Sequence, residues 1–299
     1  MTAAPAAATA QAPVADPVYV CFEGTNNPEL DIHYCSQAIE VVPKAGGDRA
    51  TLLALRGRAY SAIARHDRAI DDFDAALKLN PISALALNSR GLALHAKGAY
   101  DQAIDDFDAA VTLFPRYYDA FRNRGTARFF SGDSKAAAAD FTAALGIYDK
   151  DPASMVLRGL AHYFEGAFRA AAQDLARARE MAYGYPYLDH WLYLAREANG
   201  ESGADALRAA AAETGAAWPS PLTAALLGHA SDDEVLAALA AMPAPIRALR
   251  SVPARYFLGE LARLRSKPAT ARRHFEAAFA AEGPRPIEWA GAKAALARY

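Results

Sequence analysis

The dipeptide Arg-Gly recurs at residues 56–57, 90–91, 124–125 and 158–159, a strict spacing of 34 residues. A fixed period of this length means one structural unit copied along the chain, each copy burying its apolar face against the next. Ala69, Phe73, Ala76 and Pro81 follow the first pair at offsets that Ala103, Phe107, Ala110 and Pro115 reproduce after the second. The third copy keeps Ala137, Phe141 and Ala144, with its proline displaced to Pro152. The fourth keeps Gly166, Phe168, Ala171 and Ala178, with Leu175 where Phe stood. Small Gly and Ala let two helices cross closely, Phe fills the space between copies, and Pro ends the second helix. The repeated Gly and Ala are therefore packing residues.

Composition agrees with helices throughout: about a quarter of the 299 residues are alanine, the best helix former. A formal net charge of -2, with no block of Lys or Arg, removes the electrostatic basis for binding nucleic acid or an anionic membrane. No run approaches the roughly 18 to 20 apolar residues of a membrane span. Residues 1–16, rich in Ala, Pro and Thr, are expected to form a disordered tail. Within it Ala8-Thr9-Ala10 before Gln11 looks like the small-x-small end of a signal peptide. It is either the mark of a trimmed leader or a coincidence of an alanine-rich tail.

The repeats strongly resemble the tetratricopeptide repeat family, matching its glycine, tyrosine, A-x3-F-x2-A and terminal-proline positions. The resemblance implies an all-α, right-handed solenoid of about six helical hairpins with a C-terminal capping helix. Residues 17–48 are expected to cap the stack, with Asn27-Pro28 opening a helix in which Cys35, Ala38 and Ile39 take the places of Phe, Ala and Ile of later second helices. Residues 49–183 hold four repeats and 184–299 a degenerate continuation. In that continuation Trp191-Leu192-Tyr193-Leu194-Ala195 fits a first helix, with Ala204 to Ala212 as its partner. Segment 218–250 is off-pattern and carries a capping box, Ser231 with Glu234. Tyr256-Phe257-Leu258-Gly259, Ala271, Phe275 and Ala278 then restore the repeat before a closing helix from Pro286 to Arg298.

WPSPLTAALLG, DDEVL, YFLGE, ARRHFEAAF and PIEWAGAKAALAR also resemble the C-terminal half of the periplasmic tetratricopeptide lipoproteins of the NlpI type. That resemblance implies a dimeric envelope scaffold gathering proteases and peptidoglycan hydrolases. The chain departs from it in lacking a lipobox: only Pro17-Val18-Tyr19-Val20 precedes Cys21.

Arg56, Arg90, Arg124 and Arg158 stand where Leu is usual, and Asp72, Asp106, Asp140 and Asp174 each follow sixteen residues later. The economical reading is a ladder of inter-helix ion pairs, since a partly buried guanidinium needs a carboxylate; the alternative is an arginine-lined ligand site. Cys21 and Cys35 have no metal-motif spacing and no matching His cluster. In an oxidising compartment they would form a disulfide, with a stabilisation of roughly 3 kcal/mol; in a reducing one they would be half-buried thiols.

By the family's geometry the variable positions around each glycine face a concave groove. Carried onto this chain they are Thr51, Arg58, Ser61, Asn88, His95, Asp119, Arg122, Thr126, Phe129, Leu160 and Tyr163. Arg58, Asn88, His95, Arg122, Thr126, Phe129 and Tyr163 are the expected partner-binding set; Phe130 and Phe164, beside the last two, are assigned to the core. Family members that clamp the C-terminal carboxylate of chaperones use Lys and Asn where this chain has Ala54, Arg58 and Ser89, so that mode is not expected.

The seven histidines are scattered, with no H-E-x-x-H, no phosphate-cradling loop and no dinucleotide fingerprint. No catalytic residue, metal or cofactor is assigned. The expected function is a non-enzymatic, protein-binding adaptor of the bacterial envelope, periplasmic and homodimeric, docking a protein or peptide client such as a protease or peptidoglycan hydrolase. The alternatives are a cytoplasmic assembly or chaperone-like scaffold, and a self-assembling homo-oligomer whose groove binds its own tail or closing helix.

Overall fold

The computed structural model describes residues 16–214, 219–281 and 285–298. The expected tail, its Ala8-Thr9-Ala10 and Trp218 lie outside the described residues. Among the described residues all regular structure is helical, seventeen helices in chain order. The chain divides into two compact units at Pro115/Arg116.

The first unit holds α1 (Pro17–Glu23), α2 (Pro28–Val41), α3 (Gly47–Ala62), α4 (His66–Leu79), α5 (Ala84–Ala96) and α6 (Tyr100–Leu113). The side chain of Asn27 accepts from the amides of Glu29 and Leu30, so α2 starts where Asn-Pro directs it. Pro81 and Pro115 stand two residues past α4 and α6, where a further turn would need their missing N–H. Neighbouring helices pair, α3 with α4 and α5 with α6, while α2 packs on α3 and α1 on α2. Cys21 of α1 and Cys35 of α2 are joined by a disulfide, buried with Ile39, Leu52 and Leu53.

The second unit holds α7 (Tyr118–Ser131), α8 (Ser134–Ile147), α9 (Pro152–Glu165), α10 (Phe168–Glu180), α11 (Leu188–Ala198), α12 (Ala204–Thr214), α13 (Ser220–Leu226), α14 (Asp232–Ala240), α15 (Ala244–Leu264), α16 (Pro268–Phe279) and α17 (Ile287–Leu296). The displaced Pro152 opens α9 behind Asp151, whose carboxylate accepts from the amides of Ala153 and Ser154. The off-pattern segment resolves into α13, α14 and the first turns of α15, and the Ser231–Glu234 capping box is formed. Polar pins hold it: His190 on Thr223 at 2.9 Å, the Tyr193 hydroxyl on the Leu226 carbonyl at 2.9 Å, and His274 on Asp232 at 3.0 Å.

The glycines set the closeness of each pair. A Cβ at position 57, 91 or 125 would lie 2.9, 2.7 or 2.9 Å from the ring of Phe73, Phe107 or Phe141, and one at 259 would lie 2.5 Å from Phe275. No side chain larger than hydrogen fits there without moving an aromatic that is wholly buried.

The Arg–Asp ladder is a set of forked pairs. Arg56 donates to Asp72 at 2.8 and 2.7 Å, Arg90 to Asp106 at 2.8 and 2.6 Å, and Arg158 to Asp174 at 2.8 and 2.7 Å. Arg124 reaches Asp140, which also accepts from Arg128 at 2.9 Å. The third nitrogen points to the preceding helix pair: Arg56 to Ser36 at 3.1 Å, Arg90 to Asp74 at 2.6 Å and Arg158 to Thr142 at 3.4 Å. The guanidinium groups of Arg56, Arg90 and Arg158 thus each tie their own hairpin and clip it to the helix or pair before. The bond to Asp106, working against burial, holds the Arg90 guanidinium above its ordinary pKa.

Candidate functional site

In a helix whose Gly packs on the second helix, the positions at −6, −3, +1 and +4 from that Gly form one stripe with heptad spacing. On α3 these are Thr51, Ala54, Arg58 and Ser61; Thr51 and Arg58 are exposed and the other two half-buried. On α5 they are Leu85, Asn88, Leu92 and His95. Leu85 is 51% exposed and Leu92 45%, while His95 is half-buried and its imidazole held below its ordinary pKa by burial. Asn88 corrects the expected partner set: it is 5% exposed, drawn inside because α3 packs beside α5.

The second unit treats the same stripe differently. On α7, Asp119 is exposed, Arg122 is half-buried over the Tyr118 ring, and the Thr126 hydroxyl bonds back to the Arg122 carbonyl at 2.9 Å. Phe129 is buried, edge-on to Phe164 at 5.1 Å. On α9, Val156, Leu160 and Tyr163 are all buried, and on α15 so are Pro253, Tyr256 and Glu260. Phe129 and Tyr163 are therefore core residues and not open anchors, a second correction. Phe164 is buried as expected, but Phe130 is only half-buried.

The reason is what fills the inner side of this unit. Tyr163 donates to Glu260 at 2.6 Å, Tyr256 donates to the same carboxylate at 3.3 Å, and Arg263 pairs with it at 2.7 Å while donating to the Tyr163 oxygen at 3.2 Å. Burial, then the carboxylate beside it, pushes each tyrosine well above its ordinary pKa, so both remain donors. Trp191 of α11 packs edge-on to Tyr163 and Phe257, and α17 lies against α7, α15 and α16. Glu260, Arg263 and Glu288 carry no sequence motif. The signal for the first two was register: they stand at +1 and +4 from Gly259, as Arg58 and Ser61 do from Gly57.

Beyond the protein stripe, no group of three or more His, Cys, Asp and Glu among the described residues could hold a metal ion. No described helix is long and apolar enough to cross a membrane.

Periodic helical hairpins locked by Gly, Ala and Phe define a repeat-scaffold class of protein. The tetratricopeptide repeat family model matches residues 55–118 and, overlapping, 100–152, so the hairpins of that stretch are similar to tetratricopeptide repeats. No curated protein matches the chain significantly. Among solved structures, the C-terminal part of a TPR repeat-containing protein from Cytophaga hutchinsonii is similar at 15% identity, with a TM-score of 0.52, covering 89% of this chain and 94% of that one. MamA is similar at 21% identity with a TM-score of 0.48, over 52% of this chain and 88% of its own. The first TPR of Spaghetti (RPAP3), bound to HSP90 peptide SRMEEVD, is similar at 22% identity with a TM-score of 0.38, over 45% of this chain and 99% of its own. These likenesses concern the fold.

Proposed function

We propose that the chain is a non-enzymatic adaptor of the bacterial cell envelope that docks a protein client, such as a protease or peptidoglycan hydrolase, on the inner stripe of its first unit. The observation that carries the reading is the exposure of Leu85 and Leu92 one heptad apart on α5, next to a helix bearing the exposed Arg58. Two apolar anchors beside a planar cation suit an extended or helical peptide. The carboxylate-clamp residues are replaced by Ala54, Arg58 and Ser89, which favours an apolar rather than a chaperone-tail ligand. The periplasmic reading draws on the NlpI-type resemblance and on the Cys21–Cys35 bridge, because disulfides persist in oxidising compartments.

The test is crosslinked affinity purification from envelope extracts, comparing the intact chain with an Arg58→Ala, Leu85→Ser, Leu92→Ser variant of equal helicity. Envelope hydrolases or a processing protease should be recovered with the first and lost with the second. Their persistence would move the docking surface elsewhere, and recovery of the chain alone would favour the self-assembling reading. Alkylation without reductant, followed by mass spectrometry, should leave Cys21 and Cys35 unlabelled in periplasm-derived protein; two labelled thiols would favour a cytoplasmic scaffold.

A further inference from the structure

The first helix is fastened to its unit at one point. Of the seven residues of α1, Cys21 alone is buried; Pro17, Val18 and Val20 are half-buried, and Tyr19 and Phe22 are 65% and 44% exposed. Its hydrogen bonds are its own: the Val18 amide donates to the Asp16 cap at 2.9 Å, and the Gly24 amide closes the last turn on the Val20 carbonyl at 2.9 Å. Among the described residues, no hydrogen bond or ion pair joins α1 to α2 or α3. A helix of two turns is far shorter than one that holds its shape alone in water. What keeps α1 in place is therefore the bond from Cys21 to Cys35 on α2, with the small apolar cluster around it.

The chain beyond α1 is secured separately. Asp31 Oδ1 accepts from both the amide and the hydroxyl of Thr25 at 2.7 Å, and the Asn27 side chain caps α2. Between these anchors and α1 stands Gly24 at φ 75°, a backbone that glycine adopts without strain. Helix α1 thus ends at a glycine joint, past which the chain is pinned to α2. On its other side α1 faces α3 across a cleft of about 320 Å³, open to solvent, lined by Cys21, Phe22, Cys35, Leu55 and Arg58. The cleft gives an attacking thiolate a route to Cys21, which is 2% exposed where Cys35 is 0%.

We propose that the Cys21–Cys35 disulfide is a redox latch: its reduction releases α1 as a unit about Gly24, uncovers Cys35 and the Leu55–Arg58 side of α3, and leaves α2 to α6 folded. A dithiol reductant supplies the electrons. One of its thiolates attacks the Cys21 sulfur, the S–S bond breaks, and the electron pair leaves on the Cys35 sulfur. The second thiolate then closes the reductant's own disulfide and frees Cys21. Both protein sulfurs end as thiols, their two protons coming from the dithiol. A bridge of purely structural use joins segments that other contacts also hold, and its loss weakens the whole unit. The inference does not rest on the adaptor reading, since it concerns one bond and one helix, although the face uncovered adjoins Arg58.

The experiment uses the full-length chain, oxidised or reduced with dithiothreitol under native conditions. It reads amide hydrogen exchange together with alkylation of Cys35 by iodoacetamide. In the oxidised chain the amides of Val20 to Gly24 should be protected. On reduction they should exchange about a hundred-fold faster, the factor expected when a bridge closing a loop of about 15 residues is lost. Helices α3 to α6 should keep their protection, and re-oxidation should restore that of α1. Cys35 in the reduced native chain should be alkylated within about ten-fold of its rate in urea. A Cys21→Ser chain, which never closes the latch, should match the reduced wild type in both readouts. Continued protection of Val20 to Gly24 after reduction, with slow alkylation of Cys35, would show that packing holds α1 and would overturn the proposal. So would loss of protection in α3 to α6 along with α1, in either chain, since the bridge would then support the whole unit.

Discussion

The four Arg-Gly hairpins and the last hairpin, α15–α16, use the same close contact of a glycine with a buried side chain, a ring in all but the Gly159–Leu175 pair, but different polar chemistry around it. In the former, Arg precedes the glycine and Asp precedes the ring or its leucine substitute. In the latter those positions are Leu258 and His274, and His274 turns to Asp232 on α14 instead. The close approach that glycine allows to a large buried side chain is what each of these pairs shares. The forked Arg–Asp clamp answers a different problem: identical neighbours could slide or mispair, and a guanidinium bonded both within its hairpin and to the preceding one fixes the register. Where the neighbours are unique in sequence, as α14 and α17 are, that device is absent. The inner stripe follows the same division, open on α3 and α5 and buried on α9 and α15.

The largest expected effect lies at Glu288. Burial raises its carboxyl from an ordinary 4.5 to about 7. The folded chain therefore holds a proton the unfolded chain has released, and stability falls as pH rises from about 4.5 to about 7, then levels off. A Glu288→Gln chain lacks this loss. It should gain up to about 3 kcal/mol over wild type at pH 8 and nothing near pH 4, read by urea melts at both pH values. His190 works in the opposite sense, since burial lowers its imidazole to about 4. Neutral in the fold, it makes stability fall as pH drops through 6.5 toward 4. A His190→Asn chain should lose up to about 2 kcal/mol less than wild type between pH 7 and pH 5.

Smaller effects separate the two hairpin types. Asp106→Ala removes the forked partner of a guanidinium that is about a quarter exposed and leaves it only Asp74, and should cost about 2 kcal/mol. The double-mutant cycle with Arg90 should show coupling of at least about 1 kcal/mol. His274→Ala removes a peripheral pin and should cost about 1 kcal/mol or less. Equal costs at Asp106 and His274 would erase the distinction drawn between the regions.

Much of this was legible in sequence because it is periodic. The hairpins, their Gly–Phe contacts, the Arg–Asp partners and the capping box at Ser231 all follow from spacing. The second arm of each clamp was not, because Ser36, Asp74 and Thr142 are chemically unlike and show no motif. The inner face of the second unit was misread for a plainer reason. Positions facing a groove in a regular repeat face the core once α15 and α17 fold over them, and Phe129 and Tyr163 give no local sign of what lies opposite. Glu260, read in register from Gly259, was the one available clue.

The central claim is that the inner stripe is open in the first unit and filled in the second. Hydroxyl-radical footprinting of the full chain, corrected for intrinsic reactivity, tests it directly. Tyr163, Trp191 and Tyr256 should oxidise far more slowly than Tyr19 and Tyr148, which are 65% and 53% exposed, while Leu85 and Leu92 are modified readily. Oxidation of Tyr163 and Trp191 at the rate of Tyr148 would contradict the account.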